Sequence, residues 1–360
     1  MKILLFIDSL DSGGAQRQMV GLAKLLQDRK YQVKVIYYHP VCFYRAYLYE
    51  HHISNEYVAG SENKIKRMFL LARAIRQFQP NIVISYLDAP NMIACILKVL
   101  GMKFQLITSE RNTSQSPTKK EKIKFFLLRF ADAIVPNSHS QEQYIKKYYP
   151  RLYHKVYTII NFVDSETFNP ALNKKRGFVI IVVASAWRPK NTLGLIEAAK
   201  VVKDHGHPFI IRWYGVDDDT PYVKECQKRI MEYGLEDVFQ LLPKTASIAQ
   251  ELQKADYFCL PSFYEGTSNA MCEALACGLP ILCSNVCDNV LYVTEDVNGF
   301  LFNPQIVSEI VGKIEKALLL SDEDYQSYCK VSRKIAKTFF SEERFILDYV
   351  SLLKNEEAFL

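Results

Sequence analysis

Apolar and polar positions alternate along this chain in segments of two lengths. Short apolar runs of strand length are separated by amphipathic stretches of helix length, a pattern typical of parallel sheets covered by helices. In the first half the pattern predicts strands at residues 3–7, 32–38, 81–86, 105–108, 133–135 and 156–160. In the second half it predicts strands at residues 179–184, 209–213, 238–242, 257–260, 281–284 and 300–302.

One interruption divides this pattern into two halves. After Asn161-Phe-Val-Asp164, a polar, proline-containing run without periodicity extends to Arg176, and the alternation restarts at Phe178. The chain of 360 residues is also longer than the about 250–300 residues at which a single core usually stops growing. We therefore predict two α/β domains, 1–167 and 168–340. Because ligands of open α/β sheets bind beyond the carboxyl ends of the strands, the active site is expected in a cleft between the domains.

The segment 261–280 carries the most informative motif. A predicted strand ends at Leu260, a polar loop with Glu265 and Gly266 follows, and a helix is predicted to begin at Ser268 or Asn269. The loop and the first helical turn present free backbone N–H groups and the positive end of a helix dipole. Both features suit a phosphate group.

Two glutamates flank this predicted phosphate site. Glu265 precedes it and Glu273 lies one turn inside the helix, where carboxylates can accept hydrogen bonds from sugar hydroxyls. With the surrounding Pro-Ser…Glu-Gly…Asn…Glu-Ala…Ala-Cys-Gly-Leu-Pro frame, they resemble the signature of family-4 glycosyltransferases. The resemblance implies the GT-B fold, with two Rossmann-like domains facing across a cleft. It also implies that a last helix within residues 341–360 packs back on the first domain.

The resemblance assigns roles to individual residues. It implies that Glu265 contacts the donor sugar and belongs to the catalytic residues, and that Glu273 holds the nucleotide ribose. Where the family often has a bulky residue followed by Pro or Gly, this chain has Thr267 and Ser268. The donor-binding residues implied in this segment are Glu273, Gly266, Thr267, Ser268 and Asn269.

A second segment places cations after a predicted strand. Residues 183–191 read Val-Ala-Ser-Ala-Trp-Arg-Pro-Lys-Asn, and Arg188 and Lys190 are candidates for neutralising a diphosphate leaving group. Lys190 followed by Asn191 resembles the family's Lys-Gly/Asn element. The family's arginine lies farther upstream, where this chain has Ser185.

A glycine pair follows the first predicted strand and opens the first helix. Glycines at this position let a phosphate approach backbone N–H groups at a helix N-terminus, although a tight turn would use them equally well. The segment 12–18, Ser-Gly-Gly-Ala-Gln-Arg-Gln, resembles the family's Gly-Gly-Ala-Glu-Arg element, with Gln16 in place of the acidic residue. Gly13 and Gly14 are therefore included among the donor-binding candidates.

Weaker landmarks occur in the family's order at residues 109–112, 131–138, 160–164 and 296–304. The family's histidine after the strand at 81–86 is absent, and Tyr86, Leu87 and Asp88 stand there. Asp88 and Arg111 are acceptor-side candidates, and no protein base is assigned. The resemblance implies a front-face mechanism with retention, in which the departing diphosphate takes the acceptor proton. The protein would then contribute positioning and charge stabilisation.

Charge is distributed unevenly along the chain. Residues 1–170 hold 24 Lys and Arg against 13 Asp and Glu, whereas the remaining residues hold 21 against 26. Basic clusters at 64–67 and 119–126 are interleaved with apolar side chains, as in interfacial helices, but a solvated helix face is an equal alternative. We predict an anionic partner, with a membrane surface carrying a polyprenyl-diphosphate-linked acceptor preferred over nucleic acid. The expected location is cytoplasmic, with peripheral association at the inner face of the cell membrane as a hypothesis.

No metal and no cofactor are predicted. The nine cysteines contain no CxxC pair and are interpreted as reduced, buried thiols. Asp217, Asp218 and Asp219 open a predicted helix, where aspartate is an ordinary first-turn residue. The weaker alternative is that these three aspartates bind a metal ion that holds a nucleotide sugar.

The predicted function is transfer of a hexose or N-acetylhexosamine from a nucleotide sugar to a glycan or lipid-linked glycan in surface polysaccharide biosynthesis. A UDP-sugar is preferred as the donor over GDP-mannose. Two alternatives stay open at this point. A nucleotide-sugar 2-epimerase would consume donor without an acceptor, and a sugar-nucleotide-binding protein without catalysis would show no turnover.

Overall fold

The computed structural model describes residues 1–58, 63–172, 174–216 and 219–354, in two compact units. The N-terminal unit comprises Met1–Asn161 and the last helix, and the C-terminal unit comprises Phe162–Ser341. The division therefore falls after Asn161 instead of after residue 167. The reason is that the chain binds the C-terminal unit from Phe162 onwards: Val163 N donates to Phe340 O at 2.9 Å.

The N-terminal unit is a six-stranded parallel sheet with strand order β3-β2-β1-β4-β5-β6. Its strands are β1 (Lys2–Phe6), β2 (Gln32–Tyr37), β3 (Ser54–Tyr57), β4 (Ile82–Tyr86), β5 (Gln105–Glu110) and β6 (Ala133–Pro136). Its helices within 1–161 are α1 (Gly14–Asp28), α2 (Arg45–Glu50), α3 (Lys64–Phe78), α4 (Asp88–Val99), α5 (Lys119–Leu128) and α6 (His139–Tyr148).

The C-terminal unit repeats this architecture, with strand order β12-β11-β10-β7-β8-β9. Its strands are β7 (Val179–Val183), β8 (Ile210–Tyr214), β9 (Phe239–Leu242), β10 (Tyr257–Leu260), β11 (Ile281–Ser284) and β12 (Gly299–Phe302). Its helices are α7 (Thr192–Asp204), α8 (Pro221–Glu232), α9 (Ile248–Lys254), α10 (Asn269–Ala276), α11 (Asn289–Tyr292), α12 (Val307–Leu318) and α13 (Asp322–Phe339). Counted along each unit, both sheets have the order 3-2-1-4-5-6 of the doubly wound Rossmann fold.

Central strands of both sheets read as continuous apolar runs because helices cover both faces of a parallel sheet. Strand β4 and strand β10 are buried at every position. The last helix, α14 (Glu342–Lys354), belongs to the N-terminal unit. There, Tyr349 Oη lies 3.0 Å from Tyr86 Oη, and Arg29 Nη2 lies 2.9 Å from Glu343 Oε2.

Two predictions about strands are wrong. Strand β3 is absent from the prediction because its sequence, Ser-Asn-Glu-Tyr, is polar, which an edge strand tolerates. Residues 156–160 are not a strand and form only an isolated bridge, Ile134 with Val156. Their buried isoleucines produce the apolar pattern, but the neighbouring β6 ends in Pro136, which lacks the N–H needed to continue a ladder. Within the described residues, no helix is both long and apolar enough to cross a membrane.

Candidate active site

The most strongly organised site lies at the topological switch point of the second sheet, where β7 and β10 are neighbours and the chain leaves them in opposite directions. Ligands of doubly wound sheets bind outside the carboxyl ends of strands at this point. The loop after β7 ends in a short 3₁₀ helix, Arg188–Lys190, and the loop after β10 leads into α10. A backbone hydrogen bond joins the two loops, from Phe263 N to Pro189 O at 2.9 Å.

Lys190 and Glu265 meet across this junction. Lys190 Nζ lies 2.5 Å from Glu265 Oε1, and Ser262 Oγ donates to the same carboxylate oxygen at 2.6 Å. Glu265 is buried, whereas about a fifth of the Lys190 side chain is exposed, at 21%. The structure thus brings two of the predicted catalytic residues together, 75 positions apart in the chain. Ser262, which the sequence analysis left without a role, orients the carboxylate.

The residue after Lys190 explains part of the local sequence. Asn191 has φ 57° and ψ 42°, in the left-handed region that glycine and asparagine adopt most easily. Its side chain Nδ2 donates to Pro304 O at 2.8 Å, which anchors the start of α7. The Lys-Asn pair therefore turns the backbone sharply and leaves Lys190 on the loop facing Glu265.

Arg188 does not join this cluster. Its side chain is 73% exposed and its Nη2 lies 3.1 Å from Glu225 Oε2 on α8. The guanidinium also lies 5.3 Å from the ring centre of Tyr222. Arg188 is thus directed toward α8, and its predicted contact with the leaving group would require a different side-chain conformation.

Helix α10 begins at the same junction. Ser268 is its N-cap and accepts a hydrogen bond from Met271 N at 3.4 Å, as Ser commonly does at this position. Thr267 and Glu273 are buried beside it, while Gly266 and Asn269 are partly exposed. Gly278, with φ 75°, follows the helix in the left-handed conformation typical of a helix end. The helix therefore has an exposed positive end within the loop that carries Glu265.

The glycine pair lies at the equivalent switch point of the N-terminal unit. Gly13 is the N-cap of α1, with φ −74° and ψ 159°, and Gly14 is the first helical residue. A Cβ atom at Gly13 would lie 2.3 Å from Oε1 of Gln16, whose Nε2 donates to Ser9 Oγ at 3.4 Å. Because φ is not positive and the end of the flexible Gln16 side chain could move aside, the local backbone does not by itself require glycine at position 13.

The two acceptor-side candidates have protein partners. Asp88 lies 3.3 Å from Lys124 Nζ and 3.8 Å from Lys120 Nζ, both on α5. Arg111 donates to Ser109 Oγ, Asn161 Oδ1 and Tyr349 Oη at 2.8, 2.7 and 3.4 Å. It also stacks over Tyr86, with 4.3 Å between the guanidinium carbon and the ring centre. Both side chains therefore hold elements of the N-terminal unit together.

Sequence reasoning missed a buried polar network beside Asp88. Lys124 Nζ lies 2.6 Å from Glu110 Oε2, and Asn91 Nδ2 donates to Glu110 Oε1 at 3.0 Å. Ser85 Oγ donates to Asn91 Oδ1 at 2.6 Å, and Ser85, Asn91, Glu110 and Lys124 are all buried. Lys124 belongs to the segment 119–126, whose composition predicts bases on a helix surface. Its side-chain direction is set by packing of α5, which composition does not show.

Among the described residues, no group of three or more His, Cys, Asp or Glu side chains is placed to hold a metal ion. None of the nine cysteines forms a disulfide bond; six are buried, Cys287 and Cys329 are partly exposed, and Cys42 is exposed. Burial raises the pKa of Cys277 to about 12. Asp217 and Asp218 lie outside the described residues, and Asp219 pairs with Lys224 at 3.1 Å next to the N-cap of α8.

Two doubly wound units, one with a lysine and a carboxylate at a helix start, define a protein of the GT-B glycosyltransferase class. The model of Glycosyltransferase Family 4 matches residues 12–167, and that of Glycosyl transferases group 1 matches residues 164–335. Together they match nearly the whole chain. The chain belongs to the family-4 glycosyltransferases and is a glycosyltransferase.

Several individual proteins are similar to it. The chain is 27% identical over 351 residues to the Campylobacter jejuni GalNAc-alpha-(1->4)-GalNAc-alpha-(1->3)-diNAcBac-PP-undecaprenol alpha-1,4-N-acetyl-D-galactosaminyltransferase, covering 91% of this chain and 90% of that protein. It is 30% identical over 176 residues to the Escherichia coli UDP-Gal:alpha-D-GlcNAc-diphosphoundecaprenol alpha-1,3-galactosyltransferase, covering 44% of each. The crystal structure of Anabaena HepE in complex with UDP and glucose has a TM-score of 0.87 at 20% identity, covering 99% of this chain and 100% of that one.

Proposed function

We propose that this glycosyltransferase moves an N-acetylhexosamine or hexose from a UDP-sugar to an undecaprenol-diphosphate-linked glycan, with retention of anomeric configuration, in surface polysaccharide biosynthesis. The acceptor class follows that of relatives that act on undecaprenol-diphosphate-linked glycans, including two from Campylobacter jejuni that match over most of this chain. The donor follows HepE, solved with UDP-glucose and with UDP and glucose. The single observation that carries the proposal is the Lys190–Glu265 pair at the start of α10.

The chemistry assigned to this pair concerns the departing diphosphate. As the bond between the sugar C1 and the phosphate oxygen breaks, negative charge grows on that oxygen. Lys190 and the positive end of the α10 helix dipole would stabilise this charge. The acceptor oxygen bonds to C1 from the same face and passes its proton to the departing phosphate. Glu265, oriented by Ser262, would hold a sugar hydroxyl and thereby position C1.

A donor-binding assay tests the roles assigned to the glutamates. Glu273→Gln keeps the size of the buried side chain but removes its charge, and we expect the Kd for a UDP-sugar to rise at least tenfold. Glu197→Gln on α7, outside the site, is the matched control and should leave the Kd unchanged. An unchanged donor Kd in folded Glu273→Gln would remove the ribose-binding role.

Turnover with a synthetic polyprenyl-diphosphate disaccharide tests the reaction itself. NMR of the product should show the anomeric configuration of the donor. An inverted product would contradict the front-face mechanism, and donor consumption without acceptor would indicate epimerisation or hydrolysis instead.

Membrane association is a further part of the proposal, and it is supported by one face of the N-terminal unit. Residues of α3, α4 and α5 share a single core cluster, so these helices cover the same face of the sheet. On the outside of this face, Ile65 and Phe69 of α3 are 75% and 74% exposed, and Ile123 and Phe126 of α5 are also exposed. Lysines and arginines surround these side chains, which suits an anionic lipid surface.

Sedimentation with liposomes tests this surface. Phe69→Ser/Phe126→Ser should weaken binding to vesicles that contain phosphatidylglycerol, and binding of the unmodified chain should fall with salt. Met231→Ser/Leu319→Ser changes two exposed apolar residues of the C-terminal unit and is the control. Equal loss of liposome binding in both double variants would contradict the assignment of this face of the N-terminal unit to the membrane.

A further inference from the structure

A second candidate binding site lies at the other end of the C-terminal sheet. A cavity of about 1000 Å³ opens where β7, β10 and β11 begin, and α13 forms its opposite wall. Phe178, Asp256 and Leu279, which line it, stand just before these three strands. Lys190 and Glu265 follow the carboxyl ends of β7 and β10. At about 3.3 Å per residue, the length of these strands separates the two sites by about 13–17 Å.

The charge of this cavity is unusual for its surroundings. Five cationic side chains and two carboxylates line it, although the second half of the chain is acidic overall. The cationic side chains are Lys174, Lys175, Arg176, Lys330 and Arg333.

Two of these cations have clear structural partners. Lys174 Nζ lies 3.0 Å from Asp256 Oδ1, and the other oxygen of this buried carboxylate accepts from Gly177 N and Val179 N. Arg176 donates to Ala317 O, Leu318 O and Leu320 O at 2.9, 3.1 and 2.6 Å, and so caps the end of α12. These interactions account for Lys174 and Arg176 without a ligand.

The other three cations are not neutralised. In the described part of the chain, no carboxylate lies within ion-pair distance of Lys175, Lys330 or Arg333. Arg333 uses Nη1 to donate to Phe168 O and Ala276 O, which leaves donors of its guanidinium directed elsewhere. Lys175 and Lys330 are exposed and Arg333 is partly exposed, so all three are accessible to an anion with several acceptor oxygens.

The size and the walls of the cavity indicate more than an inorganic ion. Small-molecule sites typically have about 300–1,000 Å³ and mainly apolar walls with a few convergent polar groups. Here the exposed Pro170 and the partly exposed Phe178 provide apolar surface beside the cations, and the guanidinium of Arg176 lies 4.8 Å from the ring centre of Phe178. We infer that this cavity binds a small organic phosphate with two or more negative charges, with its phosphate at Lys175, Lys330 and Arg333 and its organic body against Pro170 and Phe178.

Arg333 also connects this site with the donor-site helix. Its Nη1 donates to the carbonyl of Ala276, the last residue of α10, whose first turn carries the predicted phosphate site. At about 1.5 Å per residue, this helix spans about 12 Å between the two sites. A ligand that engages Arg333 therefore acts on the opposite end of the helix that holds the donor.

Isothermal titration calorimetry tests the site in the full chain carrying Lys190→Ala, which weakens the donor-phosphate site. The probes are AMP, glucose 6-phosphate and pyrophosphate. We expect at least one organic phosphate to bind with one equivalent and more tightly than pyrophosphate. Preference for AMP would indicate a nucleoside body, and preference for glucose 6-phosphate a sugar body. Absence of binding at millimolar concentrations, or pyrophosphate binding as tightly as the organic probes, would overturn the inference.

Two double variants locate the binding. Lys175→Glu/Lys330→Glu should weaken the affinity for the preferred probe at least tenfold. Lys200→Glu/Lys228→Glu makes the same charge change on α7 and α8, away from the cavity, and should leave affinity within twofold. Equal weakening by both pairs would mean a general charge effect and would overturn the site. Because the same comparison can be made with Lys190 intact, its result is independent of the donor-site proposal.

A second measurement needs no substitution. Cys329 lines the cavity and is partly exposed, whereas Cys42 is exposed on the N-terminal unit. The preferred probe should slow alkylation of Cys329, measured by mass spectrometry, and leave Cys42 unchanged. Equal alkylation of Cys329 with and without a bound probe would place the ligand elsewhere.

Discussion

The two units share one topology but use their switch points differently. In the C-terminal unit, Lys190 and Glu265 approach each other at the partly solvent-accessible ends of two loops. In the N-terminal unit, the corresponding loops carry Gly13 and Gly14 on one side and Asp88 on the other. Asp88 turns toward the lysines of α5, beside the buried network of Glu110, Lys124 and Asn91.

This difference separates two uses of charge on the same scaffold. A lysine whose side chain is partly accessible to solvent, as Lys190 is at 21%, can exchange its carboxylate partner for a phosphate at a lower cost than a buried lysine, because water still reaches its ammonium group. For a buried lysine, removal of its partner leaves a charge in a medium of low polarity. The C-terminal edge is therefore suited to bind and release an anion, and the N-terminal edge is suited to hold α4, β5 and α5 in a fixed arrangement.

The largest effect is expected from Lys124→Met. Loss of the ammonium group would leave the carboxylate of Glu110 buried without its charged partner, which typically destabilises by about 3–5 kcal/mol. Hydrogen exchange measured by mass spectrometry should show faster exchange in β5 and α5, because it reports on the N-terminal unit separately. Lys122→Met, an exposed neighbour on α5, is the control and should change stability by less than about 0.5 kcal/mol.

The double variant Glu110→Leu/Lys124→Met sharpens this test. It removes both charges, so we expect it to be more stable than Lys124→Met alone. If the single and double variants exchanged at equal rates, the loss would come from packing and not from an unpaired charge.

Lys190→Ala should have the next largest effect, on catalysis. Loss of one group that stabilises a developing negative charge typically lowers kcat by about 10²–10³-fold. Arg188→Ala removes the neighbouring cation, whose exposed pair with Glu225 contributes about 0–1 kcal/mol, and we expect about a fivefold loss or less. Steady-state kinetics with saturating acceptor would measure both. Equal losses would mean that Arg188 turns into the site when the donor binds.

Asp88→Asn distinguishes a holding role from an acceptor-side role. If Asp88 mainly holds Lys120 and Lys124, the variant should lose about 1 kcal/mol of stability or less and keep kcat/KM within about fivefold. Thermal unfolding and acceptor-dependent kinetics would be compared on the same preparation. A hundredfold loss of kcat with unchanged stability would instead assign Asp88 to the acceptor.

The smallest effect concerns the free energy of unfolding of the N-terminal unit at high pH. Burial acts to lower the pKa of Lys124, but the charges of Glu110 and Asp88 together outweigh burial and raise the pKa above its usual value. Because its pKa is raised in the folded state, protonated Lys124 stabilises the unit fully at pH values below the unfolded lysine pKa of about 10.4. This stabilisation is lost as pH rises through the folded-state pKa. In urea unfolding, the stability of the unmodified chain relative to Glu110→Leu/Lys124→Met should therefore fall as pH rises through the folded-state pKa of Lys124. If the unfolding free energies of the two proteins changed in parallel with pH, the raised pKa of Lys124 would be contradicted.

Much of the scaffold could be predicted from local sequence. Eleven of the twelve strands of the two sheets coincide with predicted apolar runs, and α10 begins at Asn269, one of its two predicted start residues. The donor-site residues assigned by resemblance stay predictions, although Lys190 and Glu265 lie in contact. The edge strand β3 could not be found because its polar residues lack the apolar run that identifies the others.

The sequence by itself determined the two-unit α/β architecture and the family, because apolar periodicity, helix caps and glycine positions are local properties repeated along the chain. Only the tertiary structure decided which charges meet. It paired Lys190 with Glu265, turned Arg188 toward Glu225, and buried Lys124 within a basic, amphipathic segment. Side-chain direction and burial depend on contacts between distant segments, and these contacts exist only once both sheets have formed.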